Sequence, residues 1–206
     1  MAEQYGFFDG GTLYGQDEFN RYFDNIYKSG VSIDDNNNMT LACTVLNDTV
    51  TVSKGFAIIK GFFYYNDTNK DISITRDKNY NRIDRIVVKL NLTSKTVTVE
   101  LKKGTASSNP SEPTLQRDNS IYELSLCKII VPASGNITIN DERFDTNLCG
   151  AIRPKNMSEI QTMITQYQKD WEGWFDRQQS LGWRQIDIQS EVPANRVEGG
   201  VWIKLI

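Results

Sequence analysis

Asp141, Glu142 and Asp145 stand close together along the chain around Arg143. Two carboxyl groups held about 5–10 Å apart across a sugar-binding cleft are what glycoside hydrolysis requires. Nearness in sequence does not make such a cleft, and the plainer reading is a hydrogen-bonded loop leading from a β-rich region into a helix. A second polar group, Asp34-Asp35-Asn36-Asn37-Asn38, alternates carboxylates and amides as calcium loops do. The EF-hand spacing fails there, with Met39 at the tight-turn glycine position and Val45 at the bidentate glutamate position. A polar turn is therefore expected. Gly10-Gly11-Thr12 lacks the Gly-Lys-Ser/Thr ending of a phosphate loop.

Histidine is absent from all 206 residues. That removes Ser-His-Asp and Cys-His hydrolases, His-ligated zinc enzymes and most general-base schemes near neutral pH. Carboxylate chemistry remains as the main enzymatic route. Cys43, Cys127 and Cys149 are few, odd in number and widely spaced. They read as buried free thiols rather than a disulfide framework or zinc site. No catalytic, cofactor or metal residues are assigned. Asn-X-Ser/Thr triplets begin at Asn38, Asn47, Asn66, Asn91, Asn136 and Asn156, and an Asn- and Thr-rich composition accounts for them. Tyr64, Tyr65, Trp183 and Trp202 could stack on sugars, but each serves equally well as a core or interface residue.

Net charge is −3 with no long basic run, so the Lys/Arg footprint of a nucleic-acid binder is missing. A hydrophobic content of 39% against 24% charged residues is enough to build a core. The start MAEQYGFFDGG lacks the basic and apolar parts of a signal peptide. No window approaches the roughly 18 apolar residues of a membrane span. Synthesis and folding in a cytoplasm, without membrane insertion, are expected.

Three segments must position these groups. In the first, residues 1–150, a helix is predicted from about Gln16 to Ser29, with Phe19, Tyr22, Phe23, Ile26 and Tyr27 as a core-facing stripe and Gly30 as C-cap. From residue 39 the period changes to two. Thr49–Ser53, Phe56–Ile59 and Phe62–Tyr65 read as strands punctuated by Gly55 and Gly61. Ile86–Leu92 and Thr96–Lys102 read as a hairpin with one buried and one wet face. A loop rich in Ser, Pro and Asn spans about Gly104–Asn119, followed by strands at Tyr122–Val131 and Ile137–Ile139. No helix is predicted between residues 31 and 150, which argues for a mainly β, antiparallel sandwich rather than a parallel sheet.

The second segment, residues 151–182, is a long amphipathic helix serving as linker or oligomerisation element. Met157, Ile160, Ile164, Tyr167, Trp171 and Trp174 are spaced 3, 4, 3, 4, 3, a heptad a/d pattern. A helix lying on its own domain has a similar period, so self-association and intramolecular packing both stay open. The third segment, residues 183–206, is β again, and its apolar strand Val201–Ile206 must be paired within the chain or with a neighbour.

Asn81-Arg-Ile-Asp-Arg-Ile-Val-Val88, Lys103-Gly-Thr105, Tyr122-Glu-Leu124 and Arg143-Phe-Asp-Thr-Asn-Leu-Cys-Gly150 together resemble a family of tail, baseplate and tail-fibre proteins from phages and prophages of Gram-positive bacteria. Asp17–Phe23, Gly55–Gly61 and Trp171–Asp176 extend the likeness over roughly residues 5–177. The resemblance implies a β-sandwich akin to the shoulder domains of receptor-binding proteins, docking into a symmetric tail, commonly as a trimer with helices along the threefold axis. Many relatives continue into long receptor-binding regions, whereas only residues 183–206 follow the helix here. A large host-recognition head is accordingly not expected.

The leading expectation is a non-enzymatic structural or adaptor component of a virion tail. Its partners would be other tail or baseplate proteins and further copies of itself, with a trimer favoured. A host-attachment module binding cell-surface saccharide is the alternative, and a carboxylate-dependent glycan hydrolase the third reading. Within the Asn81–Val88 motif, Asp84 is expected to pair with a basic residue such as Arg143 and lock the loop that leads into the second helix.

Overall fold

The computed structural model describes residues 15–155, 157–180, 186–194 and 201–206. The expectation at Gly10-Gly11-Thr12 and the candidate Trp183 lie outside the described residues. The chain is mainly β, with two helices and predominantly antiparallel pairing. It forms two compact units, residues 1–155 and residues 156–206.

The first element described in the N-terminal unit is α1 (Gln16–Ile26), whose Glu18 carboxylate accepts the Gly15 N–H at 2.8 Å. The helix is shorter than predicted. Tyr27 turns extended, donates its N–H to Phe23 O, and opens β1 (Tyr27–Lys28). Gly30 is not a helix cap. It begins β2 (Gly30–Val31), where a Cβ would stand only 2.5 Å from Gly150 O, so the residue admits a close backbone crossing. The aromatic stripe is not core either, since no residue of α1 is buried. At Gly61 the Asn20 carbonyl comes so near that a Cβ would sit 2.1 Å from it.

Strands follow in hairpin order: β3 (Cys43–Leu46), β4 (Thr49–Val52), β5 (Gly55–Ile59), β6 (Phe62–Asn66) and β7 (Lys70–Ser73). They form two three-stranded sheets, β2-β5-β6 and β3-β4-β7. Lys60 and Gly61, both at positive φ, make the two-residue turn that suits a twisted hairpin. Before them, the predicted polar turn is present. Asp34 Oδ1 accepts the N–H groups of Asn36 and Asn38, and Asn37 takes a left-handed conformation.

The largest sheet has the order β11-β10-β8-β9, built from β8 (Arg82–Asn91), β9 (Thr96–Lys102), β10 (Ile121–Val131) and β11 (Thr138–Asp141). The β8–β9 hairpin matches the sequence, pairing Ile86 with Leu101, Val88 with Val99 and Leu90 with Val97. Its second face is not simply wet. Val87 and Arg85, on the opposite side of the pleat from Ile86, are also buried. β8 is flanked on both edges, and residues 103–120 cover its charged side. One buried apolar cluster draws Val50, Val52, Ala57 and Ile59 from β4 and β5 together with Ile86, Val88, Leu124 and Ile129 from β8 and β10. Burying each valine, leucine or isoleucine side chain among them contributes roughly 1.5–3 kcal/mol. The unit closes with β12 (Arg153–Pro154), antiparallel to β1.

The C-terminal unit holds α2 (Ser158–Ser180), β13 (Ile186–Gln189) and β14 (Val201–Lys204). β14 is paired within the chain, but parallel to β13, with Ile186 opposite Val201 and Ile188 opposite Ile203. No helix among the described residues is long and apolar enough to cross a membrane.

Candidate functional site

The Asn81–Val88 motif and the carboxylates around Arg143 meet, though not in the predicted pairing. Alternation on β8 puts Arg82 and Asp84 on one side and Arg85 on the other. Asp84, fully buried, accepts Arg82 Nε at 2.7 Å and Nη2 at 2.9 Å, and takes the Gly104 N–H at 2.9 Å. Its partner is therefore Arg82, two residues away on the same strand face, and not Arg143. The hydrogen bond to Asp84 holds the Arg82 guanidinium above its ordinary pKa.

On the other side, Arg85 donates Nε to Glu142 at 2.9 Å, Nη2 to the same carboxylate at 3.1 Å and Nη1 to Pro113 O at 2.5 Å. Burial works against the charge on Arg85, and the bonds to Glu142 and Glu112 outweigh it. Ser125 Oγ donates to Glu142 at 2.6 Å. A bulge between Ser125 and Cys127 frees the Ser125 N–H for Leu148 O, binding strand to loop a second time. Lys102 reaches Glu123 at 2.6 Å, and Glu123 also takes the Gln116 N–H at 2.7 Å. Each pair fastens the irregular segment 103–120 or the loop after β11 onto the sheet.

Arg143 donates to Asp141 and to the carbonyls of Met39 and Thr40, joining that loop to the chain entering β3. Asp145 accepts the Asn147 N–H at 2.8 Å. The predicted hydrogen-bonded loop is thus present. Arg85–Glu142 clamps this loop to β8 and Arg82–Asp84 holds the Gly104 N–H, the carboxylate oxygens of both pairs being occupied by guanidinium, N–H and hydroxyl donors.

The α2 residues sort differently. Ile160, Ile164, Tyr167, Trp171 and Trp174 lie on the helix, and Met157 immediately precedes it. All six are exposed, at 37–64%. The Trp171 and Trp174 rings lie 5.0 Å apart. Met163 and Phe175 are exposed as well, and sequence reasoning passed over them. They fall beside the a/d positions, at g and e, so the spacing itself held the signal. Comparison of the chain with known protein families, curated proteins and solved structures returned no match.

Tyr64 and Tyr65 point to opposite sides of β6, and Trp202 belongs to the other unit, where its Nε1 donates to Gln189 O at 3.1 Å. A different set gathers. Phe63 and Tyr65 share the exposed side of β6, at 68% and 66%, and Phe56 stacks on Phe63 at 6.1 Å between ring centres.

Proposed function

We propose that the chain is a non-enzymatic structural or adaptor component of a bacteriophage tail or baseplate, acting in the virion through protein–protein interfaces. The N-terminal unit is read as an antiparallel β-sandwich, supported by the apolar cluster shared between its sheets. α2 is read as the amphipathic oligomerisation helix. The observation that carries the proposal is its exposed apolar stripe at 3.5-residue spacing, which other copies of the same helix would cover. A strict a/d line suits two helices. Added apolar residues at the flanking positions, here Met163 and Phe175, widen the stripe and favour a trimer.

The test is the solution mass by light scattering coupled to size-exclusion chromatography, for wild type and for the Ile160→Glu/Ile164→Glu/Trp171→Glu variant. The expected result is a mass near three times 23.5 kDa that falls to monomer in the variant. A folded wild-type monomer would remove self-assembly from the proposal.

A second reading, host attachment through cell-surface saccharide, draws on the exposed Phe63 and Tyr65 rings, beside the half-buried Phe56, which offer apolar faces for stacking. Saturable binding to purified cell-wall polysaccharide, lost in Tyr65→Ala, would favour it.

A further inference from the structure

A cleft of about 210 Å³ lies within the N-terminal unit, bordered by β1, the β5–β6 turn, the start of β10 and the segment entering β12. Five cationic side chains line it, Lys28, Lys60, Arg117, Arg153 and Lys155, against one carboxylate, Asp24. The chain as a whole carries −3, so the excess is local and opposite in sign to the total. Asp24 lies 3.5 Å from Lys155, and the other four cations form no ion pair among the described residues.

Two of these cations are set opposite one another, and a third is fixed by the backbone. Lys28 and Arg153 are direct cross-strand partners in the β1–β12 pair. Like charges in that position repel across a short distance and weaken the pairing. Arg117 is fixed by backbone carbonyls, with Nε on Glu123 O at 3.1 Å, Nη1 on Asn147 O at 2.6 Å and Nη2 on Leu148 O at 2.8 Å. A guanidinium has five N–H donors, so two remain to meet a ligand. Arg117 and Lys60 also stand over the Tyr122 ring, at 5.1 and 4.9 Å from its centre.

We propose that this cleft binds a phosphate group carried by a small polyol or sugar. Guanidinium forks match a tetrahedral oxyanion, and ammonium groups add point charge around it. A phosphate neutralises more of the five-cation cluster than a single carboxylate would if it binds as a dianion. The volume is below the roughly 300–1,000 Å³ of pockets for drug-sized ligands, which limits the ester to a small one. Ser29 and Thr146 also line the cleft, and their hydroxyls suit the hydroxyl groups of such an ester. The site lies in the N-terminal unit and does not depend on the assembly reading.

The test is isothermal titration calorimetry of the full chain with glycerol 1-phosphate, inorganic phosphate and glycerol, at matched chloride ionic strength. The comparison variant is Lys28→Gln/Arg153→Gln, which removes the opposed charges and leaves the Arg117 anchor in place. The expected result is saturable binding of glycerol 1-phosphate, tighter than inorganic phosphate, with no heat from glycerol. The variant should bind at least about tenfold more weakly, the loss of one charge-assisted hydrogen bond or more. Its ligand-free melting temperature should hold or rise, because the like-charge opposition is gone. Equal binding of the two phosphates would overturn the ester part of the proposal. Absence of saturable binding, or unchanged affinity in a folded variant, would overturn the site.

Discussion

Asp84→Ala should cost about 3–5 kcal/mol, the range for removing one partner of a buried ion pair. The size follows from what the substitution leaves behind. Arg82 is only 8% exposed, and without the carboxylate its guanidinium keeps one bond, from Nη2 to Thr75 O at 2.7 Å. The Gly104 N–H loses its acceptor as well. Asp84→Asn keeps an acceptor for Gly104 while removing the charge, so its loss should be smaller. Urea unfolding followed by far-ultraviolet circular dichroism reads the difference. With a slope of about 2 kcal/mol/M, the alanine variant should unfold at roughly 2 M less denaturant. A double-mutant cycle identifies the partner. Combining Asp84→Ala with Arg82→Leu should recover part of the loss, whereas Arg143→Ala should add to it within about 0.5 kcal/mol. An alanine variant that loses less than about 1 kcal/mol would refute the reasoning. So would coupling to Arg143 in place of Arg82.

Gly61→Ala forces a Cβ toward Asn20 O at a residue with φ of 80°. Backbone strain of about 1–3 kcal/mol should lower the melting temperature by several degrees; an unchanged melt would mean that α1 is not seated there. Burial opposes the charge on Asp141, but its hydrogen bonds from Arg143 prevail and depress its carboxyl below the usual 3.8. The stability it contributes is therefore fully present above pH 3.8 and is lost as pH falls through the lower folded-state value. Acid titration of Asp141→Asn should show a shallower loss in that window, and an identical curve would count against the pair. Burial pushes the Cys149 thiol up to about 12, and hydrogen bonding with Cys43 together with burial raises Cys127. Iodoacetamide at mild alkaline pH should label neither in the native protein and both after denaturation, as judged by intact mass.

The parts of the fold visible in the sequence were those set by side-chain period or by local hydrogen bonds. Thr96–Lys102 alternates cleanly, and β9 occupies that range. Asp34–Asn38 holds its turn by local hydrogen bonds, which need no distant partner. What escaped depended on contacts far along the chain. α1 carries a helical stripe, yet periodicity cannot say how far a surface covers it, and Phe19 and Tyr22 stay about half exposed. The charged side of β8 looked solvent-facing because Glu142, its partner, is 57 residues from Arg85. The Asp84 pairing failed for the opposite reason. Strand alternation already placed Arg82 beside it, and the nearer partner prevailed. The cationic cleft had no signature at all, since Lys28, Lys60, Arg117 and Arg153 converge only through pairing of β1 with β12 and the turn after β5.

All four tryptophans, Trp171, Trp174, Trp183 and Trp202, belong to the C-terminal unit, while eight of the nine tyrosines belong to the N-terminal one. The molecule is thus labelled by its own chromophores. Emission excited at the red edge of the tyrosine band reports residues 156–206 alone, whereas the far-ultraviolet signal reports both units, the strands of residues 1–155 together with α2. If the two signals lose structure at the same denaturant concentration, the units unfold as one cooperative body; if they separate, each is its own thermodynamic system. The paired indoles of α2 are exposed in the single chain, so their emission should shift to the blue when they are buried by a neighbour. Association can then be followed in dilute solution, against protein concentration, with no dye attached.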